Sequence, residues 1–283
     1  MSLAPLPKIL VESLVRAALL EDLGRAGDLT TDFIISPERT LRAVLRTRDA
    51  GVVAGLDLAR LAFAMIDPEI KVTIECPDGT PVQPGVILAR VDGPARGILT
   101  AERTALNFLG HLSGIASATA CIVAAVADTK AKIVCTRKTT PGLRAVEKYA
   151  VRAGGGSNHR FGLDDAILIK DNHIAIAGGA GVALHRAKAK AGHLVKIEIE
   201  IETLAELEEV LAIGVDAVLL DNMDLRTLAK AVALANGRAI TEASGRVTAK
   251  TAPAIAATGV DLISVGWLTH SAAVLDIGLD FEA

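Results

Sequence analysis

From Lys130 onward the chain alternates, six times over, a short β-rich run with a helical stretch. KIVCT precedes LRAVEKYAVRAG, AILI precedes a helix ending near Gly192, and HLVKIEIEI precedes TLAELEEVLAIG. DAVLLD then precedes DLRTLAKAVALANG, RAITEAS precedes TAKTAPAIAATG, and DLISVG leads into the C-terminal segment. Strand–helix units in series predict a parallel sheet wrapped by helices, closed or nearly closed as a barrel. A seventh strand near Ala153–His159 is left open by the pattern.

The part before Lys130 is mixed. A helix over Ile9–Leu20 is followed by the loop EDLGRAGDLTTD, a strand in LRAVLRTRDAGVVAG and a helix over Leu56–Ile66. KVTIECPDGTPVQPGVILARVDG reads as short strands between Pro/Gly turns, and Ala101 to about Ala127 has helical spacing with enough apolar residues to be mostly buried. At 283 residues the chain is long for one domain and comfortable for two. With 51% hydrophobic and 22% charged residues it is not disordered. A net charge of −3 and 2% aromatics argue against nucleic-acid binding, since neither a basic field nor stacking platforms are present. Cys76, Cys121 and Cys135 are odd in number and widely spaced, which fits neither a disulfide framework nor a zinc site and suits a reducing cytosol. The N-terminal segment has an amphipathic character unlike a signal peptide, and the most apolar stretch, Ile115–Ala127, falls short of the ~20 residues a bilayer needs. A soluble cytoplasmic protein is expected, with no membrane and no nucleic-acid partner.

Polar residues gather where the strands end. KIVCT runs into Arg137 and Lys138; AILI runs into Lys170, Asp171, Asn172 and His173. HLVKIEIEI carries Glu198, Glu200 and Glu202 at period two, DAVLL ends in Asp221, AIT runs into Glu242 and Ser244, and DLISV ends at Gly266. In a parallel barrel the carboxyl ends open onto one face, where reaction chemistry sits. Charges there must pair, meet a ligand or hold a metal. For any single residue an ordinary barrel salt bridge is an equal reading. The set as a whole says more, because cations follow the first strands and carboxylates the later ones, which suggests an anionic ligand group beside a metal-bearing one. Glu202 is expected to be the first residue past its strand.

Between the first two strands lies AGGGSNHRFG, whose glycines let backbone amides approach an anion and whose His159 and Arg160 add positive charge. It matches neither the GxxxxGK[ST] phosphate loop nor the GxGxxG dinucleotide fingerprint. Arg137, Lys138, Arg160 and Lys170 together make a cationic pocket suited to a planar dicarboxylate or to phosphates. Arg103 reads by default as a surface charge, and His111, His185 and His193 as ordinary helix or loop histidines.

The segments AERTALNFLGHLSGIAS, TRKTTPGLRAVEKYAVRAGGGSNHRFGLDDAILIKDNHI, EIEIETLAEL, AVLLDNM, EASGRV and GVDLISVGWLTHS together resemble the quinolinate phosphoribosyltransferase family. The resemblance runs from EDLGRAGDLTTD to LDIGLDF. It implies an α/β protein: an N-terminal α/β sandwich domain over 1–113, joined by the tail 269–283, and an incomplete α/β barrel over 114–268. It implies transfer of phosphoribosyl from phosphoribosyl pyrophosphate to quinolinate with loss of carbon dioxide, using Mg2+, in a homodimer; whether dimers assemble into a higher oligomer is left open by the sequence. By motif match, Arg103 is donated to the neighbouring site, while Thr136, Arg137, Lys138, His159, Arg160 and Lys170 line the quinolinate and phosphate pocket. Glu200 and Asp221 face the ribose and the magnesium, directly or through pyrophosphate and water. Ser244, Gly245, Arg246, Gly266 and Trp267 form the 5′-phosphate loops. Two positions depart from the family pattern: Arg246 stands where many members carry Gly or Asn, and Trp267 where a small residue is common. Arg246 is a candidate further phosphate contact, and Trp267 either narrows the pocket or packs.

The chemistry implied needs no enzyme nucleophile, in keeping with the lack of a Ser–His–Asp or Cys–His pattern. The rival readings are a related phosphoribosyltransferase acting on nicotinate and a non-catalytic anion-binding barrel.

Overall fold

The computed structural model describes residues 3–282. The chain divides into two compact units, one of residues 1–120, 139–155 and 268–283, the other of 121–138 and 156–267.

The first unit holds helices α1 (Lys8–Leu23), α2 (Leu29–Ile34) and α3 (Leu56–Ile66), most of α4 (Ala95–Ala125), and α5 (Arg144–Ala153). Its strands are β1 (Thr40–Thr47), β2 (Gly51–Val52), β3 (Lys71–Ile74), β4 (Pro81–Val82) and β5 (Ile87–Pro94), and the chain's last strand, Ile277–Phe281, belongs here too. That last strand, β1, β5 and β3 form an antiparallel sheet in this order, while β2 pairs with β4. Val44, Leu45, Phe63, Leu88, Val91, Leu109 and Leu112 close its core with no exposure. Arg46 Nε donates to Asp280 at 3.1 Å, and Arg90 bonds both Glu75 and Glu282, so ion pairs edge the returning strand. Helix α3 starts at Gly55, where the carboxylate of Asp78 accepts the N–H groups of Gly55 and Leu56 at 2.9 and 3.2 Å. Tyr149 Oη, on α5, donates to the same carboxylate at 2.8 Å.

Helix α4 runs for 31 residues, starting six residues before the stretch that spacing predicts. By length and composition it could span a bilayer, which the shorter apolar run Ile115–Ala127 does not suggest. Over half of its most apolar stretch is buried, however, and along the helix Ile98, Leu109, Leu112, Ile115 and Ile122 have no exposure. Gly110 and Gly114 lie one turn apart on it, under the returning tail; Leu275 N–H donates to Gly110 O at 3.1 Å.

The second unit is a parallel sheet of β6 (Lys132–Val134), β7 (Ile167–Ile169), β8 (Ile197–Ile201), β9 (Ala217–Asp221), β10 (Ile240–Ser244) and β11 (Leu262–Ser264). The order β6-β11-β10-β9-β8-β7 leaves β6 and β7 unpaired with each other, so the barrel is incomplete. Among the described residues the open seam carries one isolated parallel bridge, from Val134 to Ser157, where the sequence left a seventh strand open. Around the sheet stand α6 (Asp171–Ala177), α7 (Ala180–Lys190), α8 (Leu204–Ile213), α9 (Leu225–Ala235) and α10 (Ala252–Ala256). Caps start two of them directly after strands. Thr203 and Glu206 form a reciprocal capping box on α8, and Asp224 accepts the Thr227 N–H at 2.8 Å on α9. Short α11 (Trp267–His270) and the strand β12 (Ile277–Phe281) complete the chain.

A Cβ on Gly114 would lie 2.1 Å from the carbonyl oxygen of Ala273. Backbone cannot move aside as a side chain can, so Gly114→Ala should destabilise the protein by about 1–3 kcal/mol, read by urea unfolding. An unchanged midpoint would show that the tail is not anchored there.

Candidate active site

Most residues the sequence singles out in the second unit fall at or just past the carboxyl end of a parallel strand; Glu198 and Glu242 lie within β8 and β10. Arg137 and Lys138 follow β6; His159 and Arg160 follow the Ser157 bridge; Lys170 follows β7 and precedes the first turn of α6. Thr136 Oγ1 accepts the N–H of Lys138 at 3.0 Å, which bends the chain as it leaves the strand. Glu200 lies in β8, Asp221 ends β9, Ser244 ends β10, and Gly266 and Trp267 follow β11. Glu202 is the first residue past β8 and is exposed.

Arg137 and Arg160 come together. The Nε atoms of both are buried and have no hydrogen-bond acceptor. Arg160 Nη1 donates to Ala166 O at 3.0 Å, which fixes one edge of its guanidinium and leaves the other uncommitted. Burial first, and then the like charge of Arg137, pull Arg160 below its ordinary pKa, against the opposing pull of Asp165 and Glu198. Buried donors beside a repelling neighbour are unfavourable until an anion arrives.

The acidic half is separate. Burial and then the charge of Asp221 push the Glu200 carboxyl above its ordinary range, while Lys170 opposes them. Lys170 thus stands by the carboxylates as well as among the expected cations. Asn222 Nδ2 donates to Asp221 Oδ2 at 2.6 Å.

The loops after β9 and β10 are built together. Asn222 N–H donates to Ser244 O at 3.0 Å, and a Cβ on Gly245 would lie 2.3 Å from Asn222 Oδ1. Gly245 has φ +108°, and Asn222 and Arg246 hold φ of 51° and 49°, in the left-handed region. Trp267 Nε1 donates to Val247 O at 2.8 Å, so the indole packs against this loop.

Two site-lining carboxylates have no role assigned from the sequence. Glu198 and Glu242 are buried beneath His159: His159 Nε2 is 2.8 Å from Glu198 and 3.6 Å from Glu242. The signal was available, since Glu198 and Glu200 share one face of β8 by strand alternation. His111 also departs from its reading as an ordinary histidine. Its Nε2 lies 3.0 Å from the fully buried carboxylate of Glu147, whose other oxygen accepts the Thr140 N–H at 3.0 Å. Arg103 is in the first unit, exposed on α4, in a cavity of about 480 Å³ lined also by Glu21, Asp22, Asn107 and His111.

A barrel face that offers paired, unsatisfied arginines on one side and adjoining carboxylates on the other defines an anion-handling α/β enzyme. The family models sharpen this: the quinolinate phosphoribosyltransferase N-terminal domain matches residues 28–113, and its C-terminal domain matches residues 115–280. A nicotinate-nucleotide pyrophosphorylase (carboxylating) of Mycobacterium leprae is 45% identical over 271 residues, covering 94% of this chain and 95% of the relative. A mitochondrial quinolinate phosphoribosyltransferase (decarboxylating) of Nicotiana tabacum is 42% identical over 294 residues, covering 96% and 82%. The crystal structure of NadC from Streptococcus pyogenes superposes with a TM-score of 0.94 at 41% identity, covering 99% of this chain and 100% of that one. The chain belongs to the quinolinate phosphoribosyltransferase family.

Burial, followed by the charge of Glu198, pushes the Glu242 carboxyl up to about 7. An unfolded Glu titrates near 4.3, so the folded state holds the extra proton between these values. Its contribution is complete below the unfolded value and lost as pH rises through the folded one. Glu242→Gln lacks this loss. Its unfolding free energy relative to the wild type should therefore rise between about pH 5 and about pH 8; a flat or falling difference in urea titrations contradicts the assignment.

Proposed function

We propose that the barrel face of this chain binds quinolinate and phosphoribosyl pyrophosphate side by side, in a magnesium-dependent homodimer. The family reaction is the enzyme's: it transfers phosphoribosyl to quinolinate with decarboxylation, forming nicotinate mononucleotide, pyrophosphate and carbon dioxide in NAD biosynthesis. One observation carries the assignment of the site. The buried Nε groups of Arg137 and Arg160 lack acceptors, and two carboxylates on a planar ring would supply them in bidentate fashion.

In this reading Arg137, Arg160, Lys138 and Lys170 hold the pyridine dicarboxylate with its nitrogen toward the sugar. Glu200 and Asp221 stabilise the cationic character that develops at the ribose as pyrophosphate departs. Attack by the ring nitrogen makes a pyridinium, whose positive charge stabilises the electron pair left on the adjacent carbon when its carboxylate leaves as carbon dioxide; a proton from solvent then takes the carboxylate's place on that carbon. Positioning and electrostatics carry most of the rate. The backbone of Ser244, Gly245 and Gly266 receives the 5′-phosphate. The raised Glu200 carboxyl beside Asp221 fits a cation; a magnesium ion held there, directly or through pyrophosphate and water, would neutralise charge on the leaving group.

The dimer is supported by Ile9, Leu10, Leu20, Leu29, Phe33 and Ile34, large apolar side chains of α1 and α2 that stand exposed. Arg103, also exposed, is the residue offered to the second copy. A cytoplasmic location is supported by the odd number and wide spacing of Cys76, Cys121 and Cys135, which fit no disulfide framework.

Arg137→Ala and Arg160→Ala should each raise the KM for quinolinate by about ten- to a hundredfold, consistent with loss of a buried charge partner. Normal quinolinate kinetics in both removes them from the pocket. If Arg103 acts across the dimer, an equimolar mixture of refolded Arg103→Ala and Arg160→Ala chains should recover about a quarter of wild-type activity, because each hybrid holds one intact site. No recovery, with hybrids present by native mass spectrometry, assigns Arg103 to its own chain.

Arg246 in a left-handed backbone costs roughly 1 kcal/mol relative to glycine, before the unfolded-state entropy of glycine offsets part of it. Arg246→Gly should leave stability equal or slightly higher while raising the KM for phosphoribosyl pyrophosphate several-fold. An unchanged KM would deny Arg246 a phosphate contact.

A further inference from the structure

His159, Glu198 and Glu242 bring a ring nitrogen and two carboxylates within 4.8 Å of one another, the arrangement of a three-ligand metal site. Hydrogen-bond bookkeeping points elsewhere. The main-chain N–H of Arg160 donates to His159 Nδ1 at 2.7 Å, so that nitrogen carries a lone pair and no proton. In a neutral imidazole the proton must then sit on Nε2, where it is donated to Glu198 Oε2 at 2.8 Å. A metal at Nε2 needs a lone pair there and would force the proton onto Nδ1, against the Arg160 N–H. With both ring nitrogens engaged by the protein, His159 has no N–H to offer a substrate.

What the ring does hold is the peptide from which Arg160 departs. Glu242 lies behind, 1% exposed, with a carboxylate oxygen 3.6 Å from His159 Nε2 and within 4.8 Å of the Glu198 carboxylate. Glu198 also acts on the charge of Arg160 directly. The chain of contacts therefore runs from Glu242 to Glu198, to the His159 ring, to the Arg160 main chain and on to a guanidinium whose Nε awaits an acceptor. We infer that Glu198 and Glu242 are positioning residues of the quinolinate subsite, acting through His159 to set the direction in which Arg160 enters it. The inference rests on the reading of Arg160 as a quinolinate contact. A displacement of this kind is enough to matter, since misplacing a binding group by about 1 Å costs up to a hundredfold.

Steady-state kinetics on the intact enzyme test it. Glu198→Leu should raise the KM for quinolinate about tenfold or more, with kcat and the KM for phosphoribosyl pyrophosphate within about threefold. Glu198→Gln keeps an acceptor for Nε2–H and should bring the quinolinate KM most of the way back. An unaltered quinolinate KM in Glu198→Leu, or a loss confined to kcat, overturns the inference while an Arg160→Ala effect leaves the site reading standing. A normal quinolinate KM in Arg160→Ala overturns both. Because the leucine variant could fail to fold, the wild type supplies a second readout. Long-range ¹H–¹⁵N spectra of ¹⁵N-histidine protein, with His159 assigned through His159→Asn, should show the Nε2–H tautomer; an Nδ1–H ring or an imidazolium refutes it.

Discussion

The pairing of Ser157 with Val134 is the contact on which the anion pocket depends. Ser157 N–H donates to Ile133 O at 2.8 Å, and Cys135 N–H donates back to Ser157 O at 3.2 Å, so two parallel segments advance in step. Arg137 comes three residues after Val134, and Arg160 three residues after Ser157. Equal offsets from one bridge deliver the two guanidiniums as neighbours. Nothing in the side chains favours that meeting, because like charges repel and half-buried donors lose water. The main chain imposes it, and an anion relieves it.

The open seam has a consequence for the distribution of charge. Were β6 and β7 paired, the segment bearing His159 and Arg160 would have no place in the sheet. Because the sheet stops at β7 on one edge and β6 on the other, the seam admits a short bridge and the loop behind it. Cations thus collect on the two sides of the gap, and the acids Glu200 and Asp221 occupy the adjoining strands β8 and β9 in the continuous part. Glu198 joins the halves: it shares the inward face of β8 with Glu200, yet serves the histidine beside Arg160.

Much of this was legible in the residues. Six strand–helix alternations carry the parallel sheet because each β-rich run is short and flanked by its own helix signal, such as the TLAE capping box of α8. The helix expected around Leu56–Ile66 is found there. The extent of α4 was not legible, since Gly97 and Pro94 near its start resemble breakers and only the fold shows that they do not break it. Burial of Glu147 was equally hidden: periodicity cannot announce that a charged residue on α5 will meet His111, 36 positions away. The alternation of Glu198 and Glu200 marked the functional face, whereas the pairing of Glu198 with His159 needs a tertiary contact that no local pattern encodes.

Arg246 and Trp267, the two positions the sequence resemblance sets apart, are physically linked. A bulky residue at φ 49° survives only where its surroundings over-determine the backbone. On one side Asn222 bonds Ser244 O and crowds Gly245 so closely that no Cβ fits; on the other the Trp267 indole donates to the carbonyl of Val247, immediately after Arg246. The Trp267 indole thus holds the residue that follows an arginine in a turn better suited to glycine, so the ring packs on this loop.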